Sequence, residues 1–362
     1  MKMATADVRV SRGNIESARR LIETAKKYKE RYSELGAKRM GDLSRGQKPT
    51  KLAIMPAHGI NEFQVDATKE YKPGQIFTVT CAESISFEED SVAKGSVFYA
   101  IEHLKIRDIE VHGPGKPPAS SGRALQKEFP VWSEIAAMDS ECGWGLKLGT
   151  AGSTAKATSH YYYYEAGRST GEGWLVDERY QHGGDTTGLG NALLMSQSRI
   201  SSSSVGHFAT EALVIECADS RIIGRQVFEG HDIALVSNAG NVLSPIALDA
   251  IEAAVKEGVP AIVIMGHSNC GAVGAAIAKN TEAPLAEIML AVQTNIAGWE
   301  NNVQTLVEVR NAFASVEMLQ GIRRPEVYPG RVGEVANLIS QRGTAVVPLY
   351  LDLSSGEIGG GI

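Results

Sequence analysis

Two stretches decide the fold: Leu213-Val-Ile-Glu-Cys-Ala-Asp-Ser-Arg221 and Ala261-Ile-Val-Ile-Met-Gly-His-Ser-Asn-Cys270. Each begins with a short apolar run, which is typical of a strand buried in a parallel sheet. Cys217 follows the first run, and His267 and Cys270 follow the second. The sequence therefore predicts that each strand carries its ligands at its carboxyl end, where two thiols and one imidazole can serve a single site.

This set of side chains predicts a zinc site. Cysteine thiolate and histidine nitrogen both bind zinc, and a catalytic zinc has three protein ligands and one open position. The other cysteines, Cys81 and Cys142, lie in no paired ligand motif, so a closed site of four cysteines is disfavoured. A buried Cys217 without metal is the alternative for that residue alone, and it leaves His267 and Cys270 unexplained.

Asp219 and Arg221 lie two and four residues after the first predicted ligand. An arginine can hold a carboxylate through two parallel hydrogen bonds, and a carboxylate paired in this way stays ionised and oriented. An ordinary ion pair at a strand end is the alternative. Beside a zinc site we expect a catalytic pair, in which Asp219 accepts a hydrogen bond from the zinc-bound water and Arg221 holds Asp219 away from the metal.

With these motifs the chain resembles the β-class carbonic anhydrases, whose signature is Cys-x-Asp-x-Arg followed by His-x-x-Cys on a parallel α/β fold. The resemblance covers about residues 211 to 362. It includes Ser237-Asn-Ala-Gly-Asn241, Gly266-His-Ser-Asn-Cys-Gly-Ala-Val273, Ser315-Val-Glu-Met-Leu319 and Leu349-Tyr-Leu-Asp-Leu-Ser-Ser-Gly356. One departure is Ser237, which stands where the family usually has arginine, and this places subunit packing in question more than zinc binding.

The first half of the chain repeats the order of these motifs. Leu52-Ala-Ile-Met-Pro-Ala-His-Gly59 aligns with residues 213–220, and Pro73-Gly-Gln-Ile-Phe-Thr-Val-Thr-Cys-Ala-Glu83 aligns with residues 230–240. Residues 97–113 resemble the helix and strand that lead to the second ligand motif, and residues 162–171 resemble the last strand and its turn. The sequence therefore predicts a second, divergent copy of the domain.

The predicted ligands are missing from this first copy. The alignment places Pro56, His58, Ile60, Pro114 and Pro117 where Cys217, Asp219, Arg221, His267 and Cys270 stand in the second. Proline offers neither a metal ligand nor a backbone N–H. We therefore expect one Zn2+ per chain, in the C-terminal lobe, and assign no metal to the remaining histidines.

The resulting fold prediction is α/β, with two tandem lobes, each a mostly parallel sheet flanked by helices. The resemblance implies that the lobes pack as an intramolecular pseudo-dimer, although a different packing is an open alternative. The predicted divisions are 1–45, an N-terminal helical arm; 46–176, the degenerate domain; 177–210, a linker or helical arm; and 211–362, the catalytic domain. Family dimers often pair again, so a homo-oligomer built as a dimer of pseudo-dimers is expected.

The N-terminal arm is predicted to contain a capped amphipathic helix. Ser11 precedes a segment whose apolar residues recur every three or four positions. In the family, helices before the first strand lie across the partner subunit. We therefore expect this helix to clasp the second lobe.

Composition agrees with a globular protein and excludes some partners. The chain has 362 residues, of which 43% are hydrophobic and 22% charged, with a net charge of −6. The absence of a basic stripe argues against nucleic acid. No apolar run approaches a membrane span, and the first residues have no apolar signal core. The predicted location is the cytoplasm or the interior of an organelle, where reduced thiols persist.

The resemblance implies zinc-dependent, reversible hydration of CO2 to bicarbonate and a proton, by hydroxide formed on the zinc. His231 is a candidate for carrying the proton to buffer, although a surface histidine without that role is favoured. Two other functions are open. Hydrolysis of COS or CS2 uses the same hydroxide, and a non-catalytic bicarbonate-sensing or scaffold protein would keep the zinc for stability.

Overall fold

The computed structural model describes residues 10–56, 71–81, 90–114, 158–166, 173–180, 199–200, 211–280 and 282–361. The backbone of these residues forms two sheets flanked by helices. The predicted α/β class with mostly parallel sheets is therefore confirmed. The predictions for His58, Ile60, Pro117 and Cys142 lie outside the described residues, as does most of the predicted linker.

The secondary structure follows the chain in this order. The helices are α1 Arg12–Lys26, α2 Tyr28–Ser33, α3 Gly36–Arg45, α4 Ser91–Phe98, α5 Gly224–Val227, α6 Pro245–Lys256, α7 Gly271–Ile277, α8 Ala286–Ile296, α9 Gln304–Leu319 and α10 Pro329–Arg342. A π-helical turn, Tyr99–His103, continues α4, and a 3₁₀ turn, Ala283–Leu285, precedes α8. The strands are β1 Lys51–Pro56, β2 Ile76–Cys81, β3 Asp108–Pro114, β4 Thr158–Ala166, β5 Gly173–Tyr180, β6 Arg199–Ile200, β7 Ala212–Cys217, β8 Ile233–Asn238, β9 Ala261–His267, β10 Ala345–Leu351 and β11 Ile358–Gly360.

The second sheet has the strand order β11-β10-β9-β7-β8. Strands β7 to β10 are parallel and β11 is antiparallel to β10. Every residue of β7, β8 and β9 is buried, which explains their nearly continuous apolar sequences. Because β7 and β9 are neighbours, Cys217 and His267 end adjacent strands at the same edge of the sheet, as predicted.

The first sheet has the same arrangement when the order of the second is read from β8 to β11, and it has one additional strand, β6. Its order is β2-β1-β3-β4-β5-β6, with β1 to β4 parallel and β5 antiparallel. Lys51 of β1 pairs with Ile76 and Asp108, in the way that Ala212 of β7 pairs with Ile233 and Ala261. Strands β3 and β9 have the same length. The last residue of β3, Pro114, therefore takes the sheet position of His267.

The two sheets contact each other through β2 and the loop that follows β7. Thr78 N–H donates to the Ala218 carbonyl at 3.3 Å, and Gly74 N–H donates to the Ser220 carbonyl at 2.6 Å. Nearby, Ser237 N–H donates to Thr80 Oγ1 at 2.8 Å. These bonds join the loop that carries Asp219 directly to the first sheet.

A buried carboxylate joins helices of the two halves. Asp90 accepts from Ala93 N–H at 2.8 Å, at the start of α4, and from Ile246 N–H at 3.0 Å, at the start of α6. Ser244 caps α6 by accepting from Ala247 N–H, and Pro245 occupies its first turn. Free N–H groups at the start of a helix attract negative charge. The carboxylate of Asp90 therefore caps both helices.

The N-terminal arm packs on the second sheet. Ser11 caps α1 by accepting from Asn14 N–H at 3.2 Å, which confirms the predicted capped helix. Tyr32 is 1% exposed, and its hydroxyl donates to the Leu353 carbonyl at 2.9 Å. Gly356 has φ of +73°, and a Cβ there would lie 2.7 Å from the Cβ of Tyr32. This glycine is therefore required for the arm to lie close to the second lobe.

The predicted boundary after residue 176 falls inside a strand. Gly173–Tyr180 forms β5, which pairs with β4 along its whole length, and Arg199–Ile200 adds a short strand to the same sheet. The first unit therefore extends beyond the predicted limit. Its last strands were not predicted because the apolar run of β5 is only three residues long and is followed by three charged residues, Asp177, Glu178 and Arg179. Among the described residues, no helix combines the length and apolarity needed to cross a bilayer.

Candidate metal centre

The three predicted ligands meet at the carboxyl edge of the second sheet. Cys217 ends β7, His267 ends β9, and Cys270 immediately precedes α7. One sulfur or nitrogen atom from each residue lies within 4.8 Å of the other two, and all three residues are buried. Three soft or borderline donors in a buried cluster are the ligand set that zinc prefers.

The histidine is oriented for a metal. His267 Nδ1 lies 3.0 Å from the Ser268 carbonyl. A carbonyl oxygen only accepts, so Nδ1 carries a proton and Nε2 is the atom that could bind a metal ion in place of a second proton. Nε2 is buried and has no hydrogen-bond partner within the described parts of the chain. Such a buried ring nitrogen fits a metal ion at this position.

The two cysteines are positioned by backbone hydrogen bonds. Gly240 N–H donates to Cys217 Sγ at 3.3 Å. Gly240 has φ of +80°, and a Cβ there would lie 3.0 Å from Val292 and 3.2 Å from Ala272, so only glycine fits comfortably. Cys270 N–H donates to Glu308 Oε1 at 2.9 Å. Hydrogen bonds thus fix the sulfur of Cys217 and the backbone of Cys270.

The charges of the cluster also favour a cation. The pKa of the Cys217 thiol is raised by the hydrogen bond with Cys270 and by burial, since two thiolates cannot lie side by side without compensation. Burial lowers the pKa of His267, but the adjacent Cys217 and Asp219 outweigh it and raise the pKa overall. A divalent cation would supply the missing positive charge and keep both sulfurs as thiolates.

Asp219 and Arg221 form the predicted pair. Arg221 donates from Nε to Asp219 Oδ1 at 2.8 Å and from Nη2 to Oδ2 at 2.6 Å. Burial raises the pKa of Asp219, but the hydrogen bonds from Arg221 and the charge of His267 lower it overall. Asp219 Oδ2 also lies 4.0 Å from His267 Nε2. The carboxylate is therefore ionised and fixed beside the ligand group.

A cavity of about 200 Å³ opens next to these residues. Cys217 and Asp219 line it from the second lobe. The first half of the chain contributes four lining residues, which are Gln47, Phe77, Tyr99 and His103. Burial, followed by the charges of Asp219 and Cys217, raises the pKa of Tyr99 to about 12, so its hydroxyl stays protonated. The cavity beside the ligand group is therefore built by both halves.

His103 lies at this cavity and links the halves. Its ring stacks on Tyr99 at 5.3 Å between centroids, and its Nε2 lies 2.8 Å from Glu282 Oε2 in the second lobe. His231 does not line the cavity. Its two ring nitrogens contact Thr24 and Glu211. Of these two histidines, His103 is therefore the one that lines the cavity.

Ser237, which departs from the family pattern, has a polar partner. Its hydroxyl donates to Glu216 Oε1 at 2.9 Å, and Glu216 is 4% exposed. Burial raises the pKa of Glu216 to about 7, against the hydrogen bond from Ser237. A short hydroxyl leaves room for this buried carboxyl group next to Cys217.

Sequence reasoning missed Gln47, Tyr99, His103 and Glu308. The first three lie in the half without ligands, so their place at the cavity depends on how the halves pack. The four-residue spacing of Tyr99 and His103 puts both on one helix face and is the signal that could have suggested them. Glu308 lies within an amphipathic helix, where a carboxylate ordinarily indicates a solvated face.

Comparison with known proteins finds a family that the second lobe resembles. Residues 212–358 match the family model described as carbonic anhydrase. This match confirms the resemblance to that family found from the motifs of the second half.

Two curated relatives are similar over a shorter stretch. The chain is 40% identical to carbonic anhydrase 2 of Mycobacterium tuberculosis over 77 residues, which are 20% of this chain and 37% of that protein. It is 40% identical to a carbonic anhydrase of Mycolicibacterium smegmatis over 74 residues, which are 20% of this chain and 36% of that protein. The chain thus spans little more than a third of the length of the curated relatives it matches.

Solved structures are similar over 42% of the chain. One is the β-carbonic anhydrase CafA of Aspergillus fumigatus, with 25% identity, a TM-score of 0.34 and 76% of that chain covered. Another is a tetrameric β-carbonic anhydrase of Sordaria macrospora, with 25% identity, a TM-score of 0.34 and 81% of that chain covered.

Proposed function

We propose that this protein catalyses the reversible hydration of CO2 to bicarbonate and a proton, with one zinc ion per chain. The observation that carries the proposal is the buried group of Cys217, His267 and Cys270 next to the Asp219–Arg221 pair. Zinc bound there would lower the pKa of a water molecule to about 7 and so supply a nucleophile for CO2 at neutral pH. The charged pair and the cavity supply the rest of the site.

Asp219 has the role of a fixed hydrogen-bond acceptor. Arg221 engages both of its carboxylate oxygens, and the backbone N–H of Arg221 donates to Oδ1 at 3.0 Å. Asp219 therefore turns toward the cavity with a set orientation and a negative charge. An acceptor of this kind orients the O–H of a reacting water and favours its loss of a proton.

The cavity suits a small uncharged substrate. Phe77, Ala239, Ile288 and Met289 give it apolar walls, and its volume is about 200 Å³. Apolar walls exclude bulk water and leave room for a linear molecule such as CO2. Gln47 supplies a polar group, since its Oε1 accepts from Ser220 N–H at 3.0 Å.

His103 has the role of passing the released proton to buffer. It is 39% exposed in its side chain and at the same time lines the cavity, so it reaches both environments. An imidazole ring can both accept and donate a proton, as this role requires. Glu282, 2.8 Å away, stabilises the protonated ring.

We further propose that the halves are tandem copies packed as an intramolecular pseudo-dimer, with the first copy silent. The order of the first five strands in the first sheet matches that of the second sheet, and the central strands pair in the same register, which supports this interpretation. Pro56 ends β1 as Cys217 ends β7, and Pro114 ends β3 as His267 ends β9. The first copy then contributes cavity walls, and the second contributes the metal.

We also propose that two such chains associate into a homo-oligomer. Large apolar side chains of the second lobe are 37–70% exposed, and they are Leu290, Trp299, Val303, Leu306, Phe313 and Ile322. Exposed apolar patches favour contact with another protein surface. The two free thiols at the site also suit a reducing compartment.

The test combines metal content with turnover. Purified protein should contain one zinc per chain and accelerate CO2 hydration in a stopped-flow indicator assay. Cys217→Ser and His267→Ala should lose zinc and activity together, whereas Cys142→Ser should keep both. Two zinc ions per chain would refute the silent first copy. Sulfide release from COS that exceeds CO2 hydration would assign the site to the sulfur substrate, and bound zinc without turnover would assign it a scaffold role.

A further inference from the structure

A second, larger cavity lies between the N-terminal arm and the second lobe. Its volume is about 440 Å³, within the range of small-molecule sites. The arm contributes Tyr28, Arg31 and Tyr32, and the second lobe contributes Arg225 and Gln226. The three zinc-ligand residues do not line it. This cavity is therefore separate from the site proposed for CO2.

The aromatic wall of the cavity is rigid. Tyr28 and Tyr32 are 2% and 1% exposed, and their ring centroids lie 5.5 Å apart. The hydroxyl of Tyr32 is held by the Leu353 carbonyl. The accessible edges of these rings, together with Leu35 and Pro73, form the apolar side of the cavity. Because the rings are fixed, a ligand would bind there at little cost in conformational entropy.

Two guanidinium groups line the same space. Arg31 lies over the ring of Tyr28 at 5.8 Å and donates from Nη2 to the Gln226 carbonyl at 2.8 Å. Its Nε lies 3.2 Å from Glu229, a side chain that is 66% exposed. Because the glutamate is largely solvated, it neutralises Arg31 only in part.

Arg225 adds a second positive charge. Burial lowers its pKa to about 10, despite the opposing charges of Asp232 and Glu216. A lowered pKa means that the buried guanidinium is costly to keep charged. A ligand with a negative charge in the cavity would reduce this cost.

Glu229 and His231 also line the cavity, and both have partners. Glu229 pairs with Arg31. His231 contacts Thr24 through Nε2 and Glu211 through Nδ1. The arginines therefore set the charge preference of the cavity, and the tyrosines set its shape.

We propose that this cavity binds a small organic carboxylate with a flat apolar body. The carboxylate lies against Arg31 and Arg225, and the apolar body lies against the side formed by Leu35, Pro73 and the ring edges of Tyr28 and Tyr32. A cavity of about 440 Å³ is larger than an inorganic anion needs. An inorganic anion would also make no use of the apolar wall.

The experiment uses benzoate as the probe and titration calorimetry on the full chain as the measurement. We expect saturable binding, with benzamide, the neutral analogue, binding about 10-fold more weakly. Arg31→Gln and Arg225→Gln should each raise the Kd for benzoate about 10-fold. Arg20→Gln is the matched control, because Arg20 is an exposed arm residue that bonds only to Ser17 among the described contacts.

The result must also separate this cavity from the metal site. His267→Ala protein should bind benzoate with the same Kd, because none of the proposed contacts involves the metal ligands. Loss of binding in His267→Ala, equal Kd values for Arg31→Gln and Arg20→Gln, or no saturation up to about 20 mM benzoate would each overturn the proposal. If Arg225→Gln fails to fold, Arg31→Gln decides the outcome. Because this experiment measures benzoate binding, an absence of CO2 hydration would not contradict the proposed carboxylate site.

Discussion

The carbonyl oxygen of Leu43 accepts a hydrogen bond of 3.0 Å from Nη1 of Arg221. Leu43 lies in α3 of the N-terminal arm, and Arg221 is the residue that holds Asp219. Arg221 also donates to the Asn269 carbonyl at 2.8 Å, in the loop between two of the predicted ligands. One guanidinium thus connects the arm, the carboxylate and the ligand loop, so the orientation of Asp219 depends on residues far apart in the sequence.

The variant Gln47→Leu tests whether the orientation of Asp219 depends on the first half of the chain. Gln47→Leu removes the acceptor for Ser220 N–H and keeps a similar volume. The loss of one buried hydrogen bond costs about 1–3 kcal/mol. We expect kcat/KM for CO2 to fall about 5- to 100-fold while one zinc per chain is retained. Gln320→Leu, which removes a bond to the Val346 carbonyl in the second lobe, is the control and should leave kcat/KM unchanged.

Arg221→Lys tests the pair itself. Lysine keeps the charge but cannot hold both oxygens of Asp219 in one plane. We expect a loss of activity of about 100-fold, with zinc content preserved, because the acceptor loses its orientation. The variant should also unfold at lower denaturant concentration, since a buried carboxylate loses part of its compensation. Wild-type activity in this variant would contradict the proposed role of the pair.

The sequence predicted those parts of the site that lie within one sheet. Cys217, His267, Cys270 and the Asp219–Arg221 pair follow from strand ends and short spacings, which are local features. The alignment of Pro114 with His267 stays a prediction, and each of these residues ends a seven-residue strand of its own sheet.

The remaining parts depend on packing between distant segments. Gln47 and His103 reach the cavity because β2 lies against the loop after β7, and no local pattern encodes that contact. Glu308 is 2% exposed, although its charge predicts a solvated position. It is buried because Cys270 N–H, Gln304 and Tyr350 all donate to it.

His103 is expected to limit proton release. His103→Asn should lower kcat in weak buffer by about one to two orders of magnitude, toward the low end of general acid–base effects. kcat/KM should change little, and imidazole should restore kcat. His231→Asn is the control, since that ring lies outside the cavity and contacts Thr24 and Glu211. An equal loss of kcat in both variants would contradict the assignment.

Asp90 gives a prediction about pH and stability. Burial raises its pKa above the ordinary value of 3.8, although backbone N–H groups of Ala93 and Ile246 oppose the shift. A raised carboxyl pKa contributes stability that is complete below the unfolded pKa and is lost as pH rises through the folded pKa. Asp90→Asn lacks this titration. The free energy of unfolding of the wild type, measured relative to Asp90→Asn, should therefore decrease as pH rises from about 4. Urea titrations at several pH values measure the difference, and parallel pH profiles would contradict it.

The variant Gly224→Ala tests the packing around Glu216, the residue that precedes Cys217. A Cβ at this position would meet the carboxylate of Glu216 and would lie 2.7 Å from Leu235 Cδ2. Gly224→Ala should therefore destabilise the fold by about 1–3 kcal/mol, as overpacking of a core does. Gly333→Ala is the matched control, because Gly333 lies within α10 and a Cβ there would meet nothing within 4 Å. That variant should gain about 0.5–1 kcal/mol from helix propensity. Denaturant midpoints of the two proteins should thus move in opposite directions, and a shift of Gly224→Ala toward higher midpoint would show that Glu216 has room to move away from Cys217.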